Sequence, residues 1–558
     1  MILNRNDYDE KINNLLADQT KFKKLDTNTD KLKLILKLEG KLTRFLRKLK
    51  TVKTITDELF NTLKPTGPYL GRLYGLPKTH KPQIPLRPIL SAVNTFNYKL
   101  AKYFVKILLP FTTNQYTVKD SFSFLDELKD IPNATNYTMA SFDVVSLFTN
   151  IPLRETSNII QQRIFSDDTS TFHNFTKETF SKLFDIATSD TYFTFKDHVY
   201  QQLDGVAMGS PLGPTLANIF MCHQEQTWLN NCPPQFKPIF YRRYIDDTFL
   251  LFHQPEHVPL FLEYLNQQHP QIKFTSDIEQ NGQIHFLDIN IRKDHNKLST
   301  TTYIKPTSTG LYTFFTSFIP SHIKAHIFTN LLRRAHIICS TYVSFHEEVE
   351  RLTNTFLRNG YPLRLLQRLT RRFIDRTFHT RTTATDNTST NTHKQTCYIS
   401  LTFTGKHSIQ IRNRLHKLYH RYHPNISLRV IFKNNFHIST LFPNKDHIPT
   451  LHRSSVVYKY KCSSCNATYI GKTQRHLLSR ADEHHGISSH TGSSIYTSLH
   501  SSIRDHCHQT GHPFSHHHFT ILTTATDKTE LSIKESILIN RDRPTLNNNL
   551  VSFPLSLI

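Results

Sequence analysis

Three acidic residues stand where they could hold a pair of divalent cations. Asp143 ends an apolar run in YTMASFDVVSLFTNIP, and Asp246 and Asp247 lie between two strand-like runs in FYRRYIDDTFLLF. Joining a 3′ hydroxyl to an α-phosphate uses two such cations, and hard cations prefer carboxylate ligands. The pattern predicts a strand that ends at Asp143 and a hairpin with Asp246–Asp247 as its two-residue turn. Read alone, a helix cap and a plain acidic turn fit these residues at least as well.

Two further segments supply groups that could bind a triphosphate. The Pro-rich stretch YGLPKTHKPQIPLRPILS carries Lys78, Lys81 and Arg87. Arginine can bind phosphate through two hydrogen bonds, and lysine acts as a point charge. GVAMGSPLGPTLANIFM predicts a loop before an apolar helix, with Gly209 and Ser210 where the backbone can approach a ligand closely. A solvated basic loop and an ordinary loop-to-helix junction are the structural alternatives.

A second set of reactive side chains lies near the C-terminus. SSVVYKYKCSSCNATYIGKTQRHLLSRADEH contains Tyr458, Tyr469 and Arg480, and ELSIKESILINRDRPTLN contains Glu535. Phosphodiester hydrolysis needs an activated water, a cation beside the phosphate and a metal on the leaving oxygen. Because a free tyrosine has a pKa of about 10, a tyrosine base would need help from Arg480 or the metal. Taken singly, each residue also fits a plain strand or helix position.

Cysteines and histidines in the same region have the spacing of a metal site. Cys462 and Cys465 form a short thiolate pair, and His506 and His512 follow in RDHCHQTGHPF. No thioredoxin-like pattern surrounds the cysteine pair, which argues against a redox motif. Four protein ligands leave no open position for water, so a structural zinc is predicted. Nearby competitors as ligands are Cys507, His508 and His484.

Bulk composition bounds the class of protein. The 558 residues exceed what one core usually holds. A formal charge of +24 favours a polyanionic partner, most simply nucleic acid, with a membrane surface as the competitor. No apolar run reaches the roughly 18–20 residues of a membrane span, and no secretory signal begins the chain. The seven cysteines do not form a secreted disulfide framework. We therefore expect an intracellular protein that acts in the nucleus, without a membrane partner.

Hydrophobic periodicity predicts a multi-domain chain with α/β and all-α parts. KLKLILKLEGKLTRFLRKL has helical spacing, alternating apolar runs and turns follow, and Arg-rich helices come next. TRTTATDNTSTNTHKQT is too polar to bury a core. The predicted parts are a helical extension (1–62), an α/β region (63–300), a helical region (301–380), a linker (381–397), a small β-α-β module (398–450) and a C-terminal α/β domain (454–548).

The order of the first set of motifs resembles the right-hand polymerases of the reverse-transcriptase type. GLPKTHKP, SFDVVSLFTNIP, GVAMGSPLGPTLANIFM, YRRYIDD, HFLDI and TFFTSFIPSHIK resemble the Penelope-like retroelements most closely. The resemblance implies fingers and palm over 63–300 and a thumb over 301–380. It implies that Asp143 and Asp246 hold Mg²⁺ or Mn²⁺, that Asp247 completes the acidic pair, and that Phe148 excludes a ribose 2′-OH. Arg87, with Lys78 or Lys81, would bind the incoming triphosphate, with Gly209 and Ser210 beside the nucleotide.

The C-terminal residues resemble the GIY-YIG endonucleases, which Penelope-like elements carry as a fusion. VVY ends at Tyr458, YIG begins at Tyr469, and Arg480 matches the helical arginine. The resemblance implies a metal-binding role for Glu535 and a terminal asparagine at Asn547. It also implies the zinc ligands, as a cysteine pair before YIG and a later histidine pair. The departure is Val-Val-Tyr in place of Gly-Ile-Tyr, and the tyrosine is retained.

These resemblances together imply a retroelement enzyme. The endonuclease would nick a DNA target, and the polymerase would extend the released 3′ end on an RNA template with deoxynucleoside triphosphates. This is target-primed reverse transcription and integration. A decayed or host-adopted copy that only binds nucleic acid is the alternative, and RNA synthesis is a third possibility that Phe148 opposes. Family members usually carry more helical sequence before the fingers, so an N-terminally shortened element is expected.

Overall fold

The computed structural model describes most of the chain, in two compact units. The described residues are 3–26, 29–79, 82–165, 171–294, 297–378, 395–434, 448–488, 493–494 and 500–547. The first unit comprises Met1–Asn114, Ser146–Thr227 and Lys445–Ile558, and the second comprises Gln115–Val145 and Trp228–Asn444. Each unit contains both helices and strands, so the fold is a mixed α/β fold of several parts.

The helices and strands are numbered along the chain. The helices are α1 (Arg5–Leu16), α2 (Lys31–Thr51), α3 (Asp57–Leu63), α4 (Tyr98–Leu108), α5 (Ser121–Lys129), α6 (Leu147–Asn150), α7 (Leu153–Ile164), α8 (Lys177–Thr188), α9 (Gly213–Asn230), α10 (His257–Gln268), α11 (Ser321–Ile338), α12 (Tyr342–Arg358), α13 (Leu363–Phe378), α14 (Lys406–Tyr422), α15 (Leu477–His485), α16 (Ser502–Thr510) and α17 (Lys528–Asp542). The strands are β1 (Phe22–Lys24), β2 (Gly71–Pro77), β3 (Leu86–Ser91), β4 (Thr138–Val144), β5 (Tyr192–Phe195), β6 (His198–Gln202), β7 (Phe240–Tyr244), β8 (Asp247–Phe252), β9 (Phe274–Ile278), β10 (Gln283–Phe286), β11 (Ile289–Asp294), β12 (Lys297–Thr302), β13 (Gln395–Thr402), β14 (Ile426–Lys433), β15 (Val456–Lys461), β16 (Thr468–Thr473) and β17 (Phe519–Thr524).

Helix α2 forms as its apolar spacing predicts. The Asp30 side chain accepts hydrogen bonds from the backbone N–H groups of Leu32 and Lys33, which satisfies donors that the first turn leaves open. Lys48 and Lys50 in the last turn complement the negative end of the helix dipole. The residues that face the core recur every three or four positions: Leu32, Ile35, Leu38, Leu42, Leu46 and Leu49.

The first unit has two sheets. The larger has the order β1-β6-β5-β2-β3, and β1 pairs antiparallel with β6. The region predicted as a helical extension (1–62) therefore also supplies an edge strand. Strand β1 has only three residues, which are too few for the sequence to indicate a strand. The second sheet has the order β16-β15-β17, with α15, α16 and α17 around it.

The second unit is built on a four-stranded sheet of order β7-β8-β4-β9. A separate antiparallel sheet has the order β10-β11-β12. Phe124 from α5 packs against Phe249 and Phe286, so that one aromatic core joins the helix to both sheets. This core fixes β4 and β8, the strands that end at the acidic residues.

Helices α11, α12 and α13 share a core of their own around Phe328, Phe356 and Leu366. Beyond them, β13 and β14 pair in parallel and are connected through α14. Strand β13 begins at Gln395, so the predicted linker (381–397) is too long by three residues at its end; residues 379–394 lie outside the described part. Among the described helices, none combines the length and hydropathy that crossing a bilayer requires.

Candidate functional site

The sheet of the second unit brings three carboxylates to one edge. Asp143 in β4 lies directly opposite Asp247 in β8, and the backbone N–H of Val144 donates to the carbonyl of Asp246 at 3.0 Å. Asp143 and Asp247 line a cavity of about 140 Å³ together with Lys305. The acidic residues that lie about 100 positions apart in sequence therefore converge, as a site for divalent cations requires.

The acidic hairpin turn differs from the sequence prediction by one residue. Tyr244 pairs with Asp247, so the two loop residues are Ile245 and Asp246, and Asp247 belongs to β8. Ile245 has a φ of 59°, in the left-handed region that a β-branched residue adopts only at a cost. The apolar Ile245 looked like a strand residue, which is why the turn was placed too late.

A buried arginine supports this strained turn. Arg243 is fully buried, and its Nη1 donates to the carbonyl of Ile245 at 2.9 Å. Its backbone N–H donates to Tyr116 and its carbonyl accepts from Val118, each at 2.8 Å. The loop that carries Asp246 is therefore held from both the side chain and the main chain of the preceding strand. Sequence analysis did not single out Arg243, because burial of an arginine beside a second one cannot be read from YRRY.

The acidity of Asp247 reflects both its burial and its charged neighbours. Partial burial raises the pKa of Asp247 to about 6, and the neighbouring charges of Asp246 and Asp143 act in the same direction, against Lys305. Like charges held this close oppose one another's ionisation. A divalent cation would relieve that repulsion, so the three side chains fit the Mg²⁺ or Mn²⁺ site predicted from sequence.

The hairpin of β2 and β3 in the first unit carries two of the predicted triphosphate ligands. Arg87 lies opposite Leu76, and the backbone N–H of Lys78 donates to the carbonyl of Pro85. Because side chains alternate along a strand, Lys78 and Arg87 fall on the same face of the hairpin. Arg87 is exposed there. The third predicted ligand, Lys81, lies outside the described residues.

The Gly-Ser-Pro loop packs directly against that hairpin. The backbone N–H of Leu90 donates to the carbonyl of Met208 at 2.7 Å. Gly209 has a φ of 125°, and a Cβ there would lie 2.1 Å from the carbonyl oxygen of Leu90. Only glycine permits this approach. The Ser210 hydroxyl accepts from the N–H of Leu212 at 3.3 Å, at the start of the apolar helix α9 that the sequence predicted.

Phe148 borders the same loop. Its carbonyl accepts from the N–H of Val206 at 2.8 Å, and its ring edge lies 3.7 Å from the position of a Cβ on Gly213. The ring is partly exposed, unlike a core phenylalanine. The first unit thus groups Phe148 with Gly209 and Ser210, and the loop connects them to the hairpin of Lys78 and Arg87.

The C-terminal sheet buries a tyrosine against a histidine. Tyr458 in β15 is fully buried, and its hydroxyl shares a 2.8 Å hydrogen bond with Nε2 of His484. Nδ1 of His484 lies 2.7 Å from the hydroxyl of Ser501, which accepts from the N–H of Arg504. With Nδ1–H donating to Ser501, Nε2 accepts the hydrogen bond that the Tyr458 hydroxyl donates.

Electrostatics fix the protonation states of this pair. Burial raises the pKa of Tyr458 well above its ordinary value, although the positive charge of Arg480 opposes the shift. Burial, with Arg480 and Arg504, lowers the pKa of His484 to about 3. His484 is therefore a neutral acceptor at physiological pH. It had been considered only as a lesser zinc ligand; its position four residues after Arg480 on α15 placed both on one helix face.

Arg480 belongs to a small ion-pair network. Its Nη1 donates to Glu483 at 2.9 Å, and Arg475 binds the same carboxylate at 2.6 Å. Burial lowers the pKa of Arg480, whereas the nearby Tyr458 and Glu483 raise it, and the net shift is upward. Arg480 also lowers the pKa of Tyr469, against the larger effect of burial. The guanidinium therefore faces both predicted tyrosines.

Glu535 and Asn547 complete the predicted set. Glu535 in α17 is buried and accepts from Lys472 Nζ at 2.7 Å. Asn547 accepts from the N–H of Ile470 at 2.9 Å and donates to the same residue's carbonyl at 2.8 Å. Asn547 thus holds the YIG strand in place. Lys472, one residue after YIG, was missed as the partner of Glu535.

The predicted zinc ligands also converge. Sγ of Cys462 lies 3.5 Å from Nδ1 of His512, and Sγ of Cys465 lies 3.4 Å from Nε2 of His506. The two histidine nitrogens are 3.4 Å apart, and one ligand atom from each residue falls within 4.8 Å of the others. Zinc bonds of about 2.3 Å to sulfur and 2.0–2.1 Å to nitrogen, at tetrahedral angles, place two nitrogens about 3.4 Å, a sulfur and a nitrogen about 3.6 Å, and two sulfurs about 3.8 Å apart.

Comparison with known proteins gave two family matches. Residues 78–293 match the family described as "Reverse transcriptase (RNA-dependent DNA polymerase)", and residues 311–371 match the "Animal helix-turn-helix domain". The first range contains the three acidic residues and the Gly-Ser-Pro loop. The second covers most of α11, α12 and α13. No curated protein matches the chain significantly.

Solved structures of polymerases show distant similarity. A telomerase of Candida tropicalis, truncated from its C-terminal domain, is 12% identical, with 41% of this chain and 54% of that chain covered at a TM-score of 0.32. The telomerase of Candida albicans with the TWJ fragment of telomeric RNA is 11% identical (58% and 66%, TM-score 0.35). The Sicinivirus 3Dpol RNA-dependent RNA polymerase is 13% identical (57% and 70%, TM-score 0.36). The chain thus spans about half to two thirds of the two telomerases. The family match over residues 78–293 shows that this chain contains a reverse transcriptase domain.

Proposed function

We propose that the chain is an RNA-directed DNA polymerase of a Penelope-like retroelement, with a C-terminal GIY-YIG endonuclease. The observation that carries the polymerase is the convergence of Asp143 with the Asp246–Asp247 hairpin. The reverse transcriptase match covers the same residues. Its substrates are an RNA template, a DNA primer and deoxynucleoside triphosphates, and the DNA target is the substrate of the nuclease.

In the proposed polymerase, each group has one task. Bound Mg²⁺ or Mn²⁺ supplies charge stabilisation for phosphoryl transfer. Asp143 and Asp246 hold the cations, and Asp247 completes the acidic cluster. Lys78 and Arg87 bind the triphosphate from one face of their hairpin, and Phe148 stands beside the Gly-Ser-Pro loop to exclude a ribose 2′-OH.

Primer extension on poly(rA)–oligo(dT) with Mg²⁺ tests this assignment. Asp143→Ala and Asp246→Ala abolish extension, because each removes a cation ligand, while affinity for the RNA–DNA hybrid stays within a few-fold. Asp126→Ala is the matched control, since Asp126 is an exposed helix residue paired only with Lys129 in the described structure. Normal extension by either acidic-cluster variant would refute the polymerase, and hybrid binding without extension by the wild type would favour the non-catalytic alternative.

The nuclease proposal rests on the cluster of Tyr458, Arg480 and Glu535. Nε2 of His484 accepts the hydrogen bond of the Tyr458 hydroxyl and holds that oxygen in place. To act as the base, Tyr458 would release its own proton to solvent and then take one from the attacking water, and the positive charge of Arg480 favours that ionised form. Arg480 would stabilise negative charge on the phosphate, and Glu535 would hold a divalent cation that supplies charge stabilisation for the leaving group. Tyr469 adds a second hydroxyl next to Arg480, and Asn547 holds the YIG strand.

A nicking assay on supercoiled DNA tests the nuclease separately. Arg480→Ala and Glu535→Ala each stop nicking and leave primer extension at the wild-type level, because their side chains serve only the C-terminal site. Loss of both activities would instead assign these residues a folding role. Wild-type nicking by both variants would refute the nuclease.

We also propose that Cys462, Cys465, His506 and His512 hold a structural Zn²⁺. The spacing of their ligand atoms fits tetrahedral coordination. Burial raises the pKa of Cys462, but hydrogen bonds from His506 and from the backbone of Ser464 and Cys465 outweigh it and lower the value to about 6. A thiolate is the form that binds zinc.

A further inference from the structure

A deep cationic cleft lies in the first unit, outside both proposed active sites. Its volume is about 1060 Å³, and it separates one face of α2 from the start of α15. Its acidic side chains are Asp30, Glu39 and Asp482. The cationic residues that line it are Lys33, Lys37, Arg44, Arg47, Lys64 and Arg475.

The cations of α2 form a stripe. Lys33, Lys37, Arg44 and Arg47 recur at intervals that place them on one helix face, opposite the buried leucines. All four are exposed, and among the described residues none forms an ion pair with a carboxylate. A row of charged residues on a helix usually only faces solvent. These four side chains also line the cleft.

Gly40 interrupts the stripe at its centre. Glycine within a helix is unfavourable relative to alanine, yet a Cβ at Gly40 would meet no atom within 4 Å. The packing of the protein therefore does not require the glycine. Arg44 Nε donates to the Gly40 carbonyl at 3.2 Å, and the absent side chain leaves the Cα of Gly40 open to close approach by a ligand that is not part of the chain.

The cleft is built from the same contacts that hold the nuclease domain to the N-terminal segments. The hydroxyl of Tyr69 accepts from the N–H of Ser454 at 2.9 Å, and the Ser454 hydroxyl donates to the carbonyl of Gly67 at 2.9 Å. Tyr69 also packs edge-on against the ring of His476, which is fully buried. These contacts fix the two walls relative to each other.

Arg475 connects the cleft with the nuclease site. It lines the cleft, and it shares the carboxylate of Glu483 with Arg480. Arg480 in turn faces Tyr458. An ion-pair network through Glu483 therefore joins the lining of the cleft to the residues that the nuclease proposal places around the phosphate.

From this arrangement we propose that the cleft binds the phosphate backbone of the DNA strand that the nuclease cuts, and this assignment rests on the proposed nuclease function. Lys33 and Lys37 contact successive phosphates, and Gly40 is where the strand passes closest to α2. The chemistry that recognises the strand is electrostatic, so binding is independent of base sequence and weakens with salt.

Binding of a fluorescent single-stranded DNA to the full chain tests the cleft without requiring cleavage. Lys33→Gln combined with Lys37→Gln is compared with Lys102→Gln combined with Lys106→Gln, an exposed lysine pair with the same spacing on α4 of the same unit. If both cleft lysines contact phosphates, the slope of log K against log salt falls by about 1.4, at about 0.7 per contact for a single strand. The α4 pair leaves the slope unchanged.

Gly40→Ala provides a second variant whose two readouts move in opposite directions. The methyl group favours the helix, so the melting temperature rises, while it obstructs the strand, so DNA affinity and nicking both fall. A structural role for Gly40 would lower stability instead. An unchanged DNA affinity in both Gly40→Ala and the lysine variant overturns the proposal.

The same variants show whether the cleft binds DNA or RNA, and they separate a failure of the cleft proposal from a failure of the nuclease proposal. A greater loss of RNA affinity than of DNA affinity would reassign the cleft to RNA and overturn the DNA assignment. If the cleft variants lose DNA affinity and the wild-type protein does not nick DNA, the nuclease is refuted and the cleft remains a DNA site. If the cleft variants keep normal DNA affinity and the wild-type protein nicks DNA, the cleft proposal is refuted and the nuclease remains.

Discussion

Arg243 and Ile245 are joined by a hydrogen bond in which the fully buried guanidinium donates to the carbonyl of the strained loop residue at 2.9 Å. Ile245 precedes Asp246, and its φ of 59° is unfavourable for a β-branched side chain. The bond therefore holds a backbone shape that the loop would not adopt unaided, and that shape directs the Asp246 carboxylate.

We expect Arg243→Lys to act through the position of Asp246. Lysine keeps the charge but cannot reproduce the planar geometry of the guanidinium, so primer extension falls about tenfold or more, equivalent to about 1.4 kcal/mol. The distinguishing measurement is Mg²⁺ dependence: the half-saturating Mg²⁺ concentration rises, and high Mg²⁺ restores part of the rate. Arg242→Lys, in the same strand and paired with Glu127, is the control and stays within about twofold of wild type. A slower Arg243→Lys enzyme with unaltered Mg²⁺ dependence would point to general destabilisation.

Phe148 offers a test of sugar discrimination. Phe148→Ala removes the ring beside the Gly-Ser-Pro loop, so ribonucleotide incorporation rises relative to deoxynucleotide incorporation, about tenfold or more if the ring excludes the 2′-OH sterically. Phe148→Tyr keeps a ring in place and retains the wild-type ratio. The measurement is the ratio of kcat/KM for a matched rNTP and dNTP. The same ratio in Phe148→Ala and wild type would return this side chain to a packing role.

His484 is expected to be required for nicking although it contacts no predicted metal ligand. His484→Ala leaves the buried hydroxyl of Tyr458 without its acceptor and its oxygen without a fixed position, and nicking falls by about 100-fold, as expected for a misplaced reacting group. Because the pKa of His484 is about 3, the wild-type pH profile shows no inflection between pH 5.5 and 7.5 from this histidine. His485→Ala is the neighbouring control; His485 stacks on Phe514 instead. Nicking by His484→Ala at the wild-type rate would exclude this positioning role.

Sequence analysis identified the proposed site residues more readily than the contacts that orient them. Asp143, Asp246, Arg480 and Glu535 were singled out because their chemistry and spacing are informative along a single segment. Arg243 was not, since its burial depends on strands that are distant in sequence.

The cationic cleft also depends on contacts between residues that are distant in sequence. The helical period of α2 was evident from the sequence, and helix α2 formed as predicted. That its charged face is turned toward Arg475 depends on contacts such as Tyr69 with Ser454, which lie 385 positions apart. Local patterns carry no information about such pairs, so the cleft could only be recognised in the folded chain.

Zinc loading of the full chain tests the four-ligand site. Cys462→Ser combined with Cys465→Ser removes both thiolates, so the zinc content measured by elemental analysis is expected to fall from one zinc per chain to none. The melting temperature of the C-terminal domain falls with it, because metal binding contributes to folding. Cys507→Ser keeps the zinc, since the Cys507 sulfur lies 3.5 Å from the hydroxyl of Tyr460 and belongs to a different contact. One zinc per chain in the double variant would place the metal elsewhere.

Glu39 gives the cleft a dependence on pH. Burial raises its pKa from 4.5 to about 7, although Lys64, Arg475 and a hydrogen bond from the N–H of Gly67 favour the charged form. A carboxyl group whose pKa is higher in the folded state stabilises the fold below its unfolded pKa, and this contribution is lost as the pH rises through about 7. Ionisation of Glu39 therefore opposes folding at pH 8.

Glu39→Gln removes that ionisation and keeps the size of the side chain. Its melting temperature is expected to match wild type near pH 4.5 and to exceed it at pH 8, with the difference growing between these values and levelling off above pH 7. Glu58→Gln, an exposed glutamate on α3, serves as the control and shows no such growth. Because an ionised Glu39 also repels phosphate, Glu39→Gln should bind single-stranded DNA more tightly than wild type at pH 8 and equally at pH 5.5. A constant difference in melting temperature across this range would show that Glu39 does not titrate there. Equal DNA affinity of Glu39→Gln and wild type at pH 8 would show that Glu39 does not act on the bound DNA strand.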